Sequence, residues 1–118
     1  MVMDVRNIRE EVLQLHAHIC SGLADPNRIL MIYTLADGPK NVNELAAALE
    51  LSQPTVSRHL KVLRDRGIVR ATREGQSVFY NLTDRRIIQA LDLLRLVMAD
   101  SMQKQASLFS HPIEKQAK

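Results

Sequence analysis

In the run LSQPTVSRHLKVLRDRG, polar side chains crowd together at Gln53, Thr55, Ser57, Arg58 and Lys61. These are the residue types that read base edges: the Gln amide both donates and accepts toward adenine, the Arg guanidinium grips guanine through parallel bonds, and the hydroxyls serve either. Val56, Leu60 and Leu63 keep the spacing of a helical core face through the same stretch. With those three at the centre of the buried side, Arg58, Lys61 and Asp65 point outward, Thr55 and Ser57 lie on the flanks, and Gln53 sits at the helix tip. His59 falls nearer the core side and reads as a packed or backbone-bonded histidine in preference to a base reader. The bland alternative is an amphipathic helix whose polar side simply faces water.

The charge around this helix argues against the bland reading. From Gln53 to Gln76 there are six basic residues (Arg58, Lys61, Arg64, Arg66, Arg70, Arg73) and two acidic ones (Asp65, Glu74), on a chain whose net charge is only +3. Positive charge concentrated in one segment suits a polyanion better than it serves solubility alone. Arg73 and Gln76 flank Gly75 at a turn, within reach of a phosphate backbone or minor groove, although a solvated turn would look the same at either residue alone.

A set of short elements must position these groups. Val5, Ile8, Val12, Leu15 and Ile19 form a heptad-like stripe on a first helix and call for a partner helix. Asp25-Pro26 opens a second helix through Leu35, and Asn41 with Glu44 forms a capping box for a third through Leu49. Ser52 caps the fourth, with Pro54 tolerated in its first turn and Gly67 at its end. Alternation at Val69, Ala71, Val78, Tyr80 and Leu82 around Glu74-Gly75-Gln76 predicts a β-hairpin. Thr83 is expected to cap a fifth helix, apolar on nearly every side through Ile87, Ile88, Leu91, Leu93, Leu94, Leu96, Val97 and Met98, as if buried between its own domain and a second copy. The pattern fades near Gln103, which predicts one domain over residues 1–102 and a flexible tail over 103–118.

The expected fold is mainly α with a β-hairpin wing: five helices, the third and fourth forming a helix-turn-helix. A chain of 118 residues supports one small core, here aliphatic because there is no Trp and few other aromatics. No apolar run is long and uncharged enough for a membrane span, the N-terminus has no signal pattern, and a cytoplasmic protein is expected. No nucleophile–base pair, phosphate loop or metal cluster can be assembled, and four glycines leave little material for a cofactor cradle, so neither enzyme activity nor a cofactor is expected.

The segments GLADPNRILMIYTLADGP and NELAAALELSQPTVSRHLKVLRDRGIVRATREGQSVFYNLTD resemble the ArsR/SmtB family of bacterial winged-helix repressors over nearly all of residues 15–100. The resemblance implies a homodimer joined through its first and last helices, an inverted-repeat operator on double-stranded DNA, and an inducer that releases it. It also implies that Gln53, Thr55, Ser57, Arg58 and Lys61 are recognition-helix contacts and that Arg73 and Gln76 belong to the wing. An alternative from another class is a winged-helix interaction module that docks a protein with an acidic surface.

The family's sensor residues are mostly absent. Where the metalloid site would carry Cys-x-Cys this chain has Asn41-Val42-Asn43, and where the zinc site would carry histidines it has Asp84-Arg85-Arg86, then Val97 and Asp100. The persulfide-sensing branch has a cysteine where Tyr33 aligns and another in the last helix, where this chain has none. What remains is His16 and Cys20, four apart on one helix face. This chain's only cysteine is open to three readings: a small core residue, half of a metal pair to which His111 of a partner chain could contribute, or a reactive thiol. No metal site is assigned, and the inducer is unidentified.

Overall fold

The structure, a computed structural model, describes residues 4–110. Its element order is α1 (Val5–Leu15), α2 (Pro26–Leu35), α3 (Val42–Leu49), α4 (Gln53–Asp65), β1 (Val69–Glu74), β2 (Ser77–Leu82) and α5 (Arg86–Ser110). These are the five helices and one hairpin that the sequence predicts. The chain divides into two compact units, one through Arg85 and the other from Arg86.

Helix α1 starts at Asp4, whose carboxylate accepts from the Arg6 backbone N–H at 2.9 Å. That bond, with a second from the Arg6 guanidinium, holds the Asp4 carboxyl below its ordinary range. The helix passes without a break into a π-helical turn, His16–Cys20, in which Ser21 N–H bonds back to the His16 carbonyl. The sequence did not signal this turn, because the apolar spacing is unchanged through it. No residue of α1 is fully buried within the chain: Val5, Val12 and Leu15 are exposed and Ile8 is half-buried, as is Ile19 in the turn that follows.

The caps of the next three helices are where the sequence places them. Asp25 caps α2 through Asn27 N–H at 2.8 Å. The Asn41–Glu44 capping box closes the first turn of α3 with bonds of 2.8 and 2.9 Å. Ser52 Oγ accepts from Thr55 N–H at 3.3 Å to open α4. With only 8 residues α3 could not stand alone; packing of Leu45 holds it, and the capping box adds about 1 kcal/mol. It ends at Glu50 in the left-handed region (φ 56°, ψ 47°), a conformation that costs a non-glycine residue energy.

Strands β1 and β2 pair antiparallel from Val69↔Leu82 to Glu74↔Ser77, and Gly75 at φ 66° begins the two-residue turn between them. Lys40 extends this sheet by a single antiparallel bridge to Tyr80, with bonds of 3.1 and 2.8 Å, so the hairpin is tied to the chain just ahead of α3. The core of this unit is aliphatic: Met31, Ile32 and Leu35 from α2, Leu45 from α3, Val56, Leu60 and Leu63 from α4, then Ile68, Val69 and Leu82. Each such side chain contributes roughly 1.5–3 kcal/mol of transfer free energy, and those from α4 fix which of its sides faces out.

Helix α5 departs from expectation at both ends. It begins at Arg86, so Thr83 is not at its cap position, and it continues to Ser110, past the point where the apolar pattern fades. The tail predicted to start at residue 103 is therefore helical over 103–110. Its remainder, His111 included, lies outside the described residues. Along α5, Leu93, Leu94, Leu96, Val97, Met98 and Met102 are all exposed within the chain.

Candidate nucleic-acid interface

Burying Val56, Leu60 and Leu63 presents a polar side of α4 on which Gln53, Ser57, Arg58 and Lys61 are exposed and Thr55 is half-buried. Their surroundings differ. Gln53 donates from its side-chain amide to Asn43 Oδ1 of α3, tying the third and fourth helices together at the N-terminus of α4. Thr55 Oγ1 accepts from Ser52 Oγ at 2.8 Å and from Arg58 Nη2 at 3.2 Å, so it orients the guanidinium as well as standing at the surface. Lys61 Nζ pairs with Asp65 at 3.3 Å, both well exposed, an interaction worth about 0–1 kcal/mol that a phosphate can displace.

Arg73 and Gln76 are both exposed, Arg73 near the end of β1 opposite Val78 and Gln76 in the turn itself. A cleft of about 260 Å³ lies between α4 and β2, lined by Ser57, Lys61, Arg64, Asp65 and Tyr80. Sequence reasoning missed Arg64 and Tyr80 as members of this surface. In the sequence Arg64 stands out only as charge, and Tyr80 only as an apolar strand position. The signal for Arg64 was its place one helical turn after Lys61. Of the six basic residues in the segment, Arg66 alone is half-buried, with its Nε enclosed and without a hydrogen-bond partner.

The His16–Cys20 pair is elsewhere, on the π-helical turn that follows α1. Both residues are exposed, so within the chain Cys20 is not a small core residue, the first of its three readings. Among the described residues no group of three or more His, Cys, Asp or Glu side chains is placed to hold a metal ion. No helix among them is long and apolar enough to cross a membrane.

The model for "bacterial regulatory protein, arsR family" matches residues 25–71, the stretch from the cap of α2 into β1. A protein named transcriptional repressor SmtB homolog, from Synechocystis sp., is 36% identical over 106 residues, which span 86% of this chain and 77% of that one. The chain belongs to the ArsR family. A biofilm growth-associated repressor of Agrobacterium fabrum is 46% identical over 72 residues, 58% of this chain and 62% of that protein, so this ArsR-family chain spans about three-fifths of that relative's length. Among solved structures, a homodimeric winged helix-turn-helix DNA-binding domain from Mycobacterium bovis superposes with a TM-score of 0.71 at 25% identity, over 82% of this chain and 90% of that one. In ArsR-family terms α3 and α4 are the helix-turn-helix and the β1–β2 hairpin is its wing.

Proposed function

We propose that this ArsR-family chain is a sequence-specific DNA-binding transcriptional repressor rather than an enzyme. It works in the cytoplasm as a homodimer joined through α1 and α5, on an inverted-repeat operator, and an inducer releases it. The observation that carries the reading is the row of exposed Gln53, Ser57, Arg58 and Lys61 on α4, beside a hairpin that exposes Arg73 and Gln76. In this reading α4 enters the major groove, with Arg58 and Gln53 as base readers, Ser57 and Thr55 beside them, and Lys61 toward phosphate; Arg73 and Gln76 reach the backbone or minor groove. The named repressors among the relatives, and the homodimeric DNA-binding domain among the structures, support this assignment.

The inducer is left open between a thiol-reactive species and a metal, with exposed Cys20 and His16 as the candidate sensor. The test is the affinity of the reduced, metal-free protein for duplex from its own upstream region against scrambled duplex, across a salt series, with Cys20 free and then alkylated. A preference of about a thousandfold or more is expected of a specific regulator. Absence of any preference would favour the protein-docking module instead. If alkylation lowers affinity and Cys20→Ser does not, the thiol is the sensor; if affinity ignores Cys20, sensing lies elsewhere.

A further inference from the structure

The base-reading role proposed above depends on α4 being held at one rotation about its axis, and the side chain of Arg28 on α2 reaches α4 at His59. Its Nε donates to the Gly22 carbonyl at 2.8 Å and its Nη2 to the Ser21 carbonyl at 3.3 Å, both at the end of the first helical stretch. Its Nη1 lies 3.2 Å from Nδ1 of His59, which is on α4 between Ser57 and Lys61. The three bonds use separate nitrogens of one planar group, so Arg28 joins the end of the first helix to α4 through a single rigid fork.

The chemistry fixes the state of the imidazole. A guanidinium has donors only, so His59 Nδ1 must accept, and the ring proton sits on Nε2. Nε2 faces Asp25 Oδ1 at 3.9 Å, beyond a direct hydrogen bond but correctly signed for attraction between N–H and carboxylate. Asp25 is itself fixed by capping α2 through Asn27 N–H. The His59 side chain is only 12% exposed, and its two ring nitrogens face Arg28 and Asp25, both from the start of α2. Gly22 allows the close approach: a Cβ there would stand 2.8 Å from Ile68 Cδ1, against the turn that follows α4.

We propose that Arg28 and His59 are positioning residues for DNA recognition, the His59 Nδ1–Arg28 bond fixing α4 so that Arg58 and its neighbours meet the bases in register. Neither residue touches DNA. Reading side chains must be held to within about 0.5 Å by such supporting contacts if they are to discriminate. Losing the link therefore costs preference between sequences, while attraction to any duplex, which depends on exposed charge, persists.

The test has two independent readouts. Nitrogen-15 correlation spectra of the imidazoles in the unmodified protein, with the His59 signals assigned by their loss in His59→Asn, should show the Nε2–H tautomer; a proton on Nδ1 overturns the proposal. On duplex from the upstream region and scrambled duplex, His59→Leu and Arg28→Gln should lower the preference about tenfold or more, with scrambled-duplex affinity held within about threefold. His59→Asn places an amide oxygen near the position of Nδ1 and should restore most of the preference. Preference unchanged in His59→Leu, or lost equally in His59→Asn, overturns the proposal. If the unmodified protein itself shows no preference, the DNA reading falls and this role falls with it; an Nε2–H spectrum in that case separates failure of the reading from failure of the link.

Discussion

Arg58 and Arg73 are both exposed arginines, yet the geometry asks different things of them. Arg58 is steadied by Thr55 Oγ1 in the middle of the polar side of α4, whereas Arg73 stands near the end of a strand. Arg58→Ala should cost about 1–3 kcal/mol on the preferred duplex and relax discrimination at one base position, while Arg73→Ala should weaken all duplexes alike and flatten the salt dependence by about one ion. Titrating both variants on preferred and scrambled duplex over a salt series checks this, and equal losses for Arg58→Ala on the two duplexes would remove it as a base reader. Asp65→Asn frees Lys61 and deletes a negative charge facing the cleft. It should tighten binding to every sequence and steepen the salt slope, with stability changed by no more than about 0.5 kcal/mol. At this scale which side of α4 faces out is legible in the sequence, because Val56, Leu60 and Leu63 leave no other side to expose. It did not show which polar groups are already engaged: the Gln53–Asn43 and Arg28–His59 bonds join residues far apart in the chain, and no spacing rule reaches them.

Elements were legible wherever a local rule decides them. Asp25, Asn41 and Ser52 cap the helices they precede because each offers a side-chain oxygen to an otherwise orphaned N–H, and Gly67 and Gly75 take the positive φ that their turns require. Glu50 was not legible as a left-handed residue, since nothing in its chemistry favours that conformation. The length of α5 was also hidden, because beyond Met102 helix-forming residues such as Gln103, Lys104, Gln105 and Ala106 continue the helix without an apolar stripe to announce it. Two substitutions on α3 should therefore move stability in opposite directions. Asn41→Ala removes half of the capping box and should lower unfolding free energy by about 1 kcal/mol. Glu50→Gly relieves the left-handed residue and should raise it by a few tenths to about 1 kcal/mol, the gain reduced by glycine's larger entropy when unfolded. Urea denaturation of both variants beside the parent, at one protein concentration, reads the two signs.

At the scale of the whole molecule the exposed apolar surface calls for a partner. Helix α1 has no fully buried residue within the chain, and α5 exposes Val97 at 65% and Leu93 at 63%, in a protein with no large aromatic core to offset that cost. Side chains of this kind are stabilised by a partner surface, and in the proposed dimer each protomer supplies it to the other. Two consequences separate that arrangement from a stable monomer. The thermal midpoint should rise with protein concentration, because unfolding and dissociation are then linked. Val12→Glu, in the middle of the α1 stripe and exposed within the chain, should shift sedimentation toward monomer by placing a charge in the interface. Losing the second protomer removes the bivalent gain, so affinity for a duplex with both half-sites should fall by about a hundredfold or more. Affinity for a duplex with one half-site should be nearly unchanged, since α4 and the hairpin are untouched. Equal losses on both duplexes would mean that Val12→Glu had damaged the reading unit itself; an intact dimer would remove α1 from the interface and leave α5 to carry it.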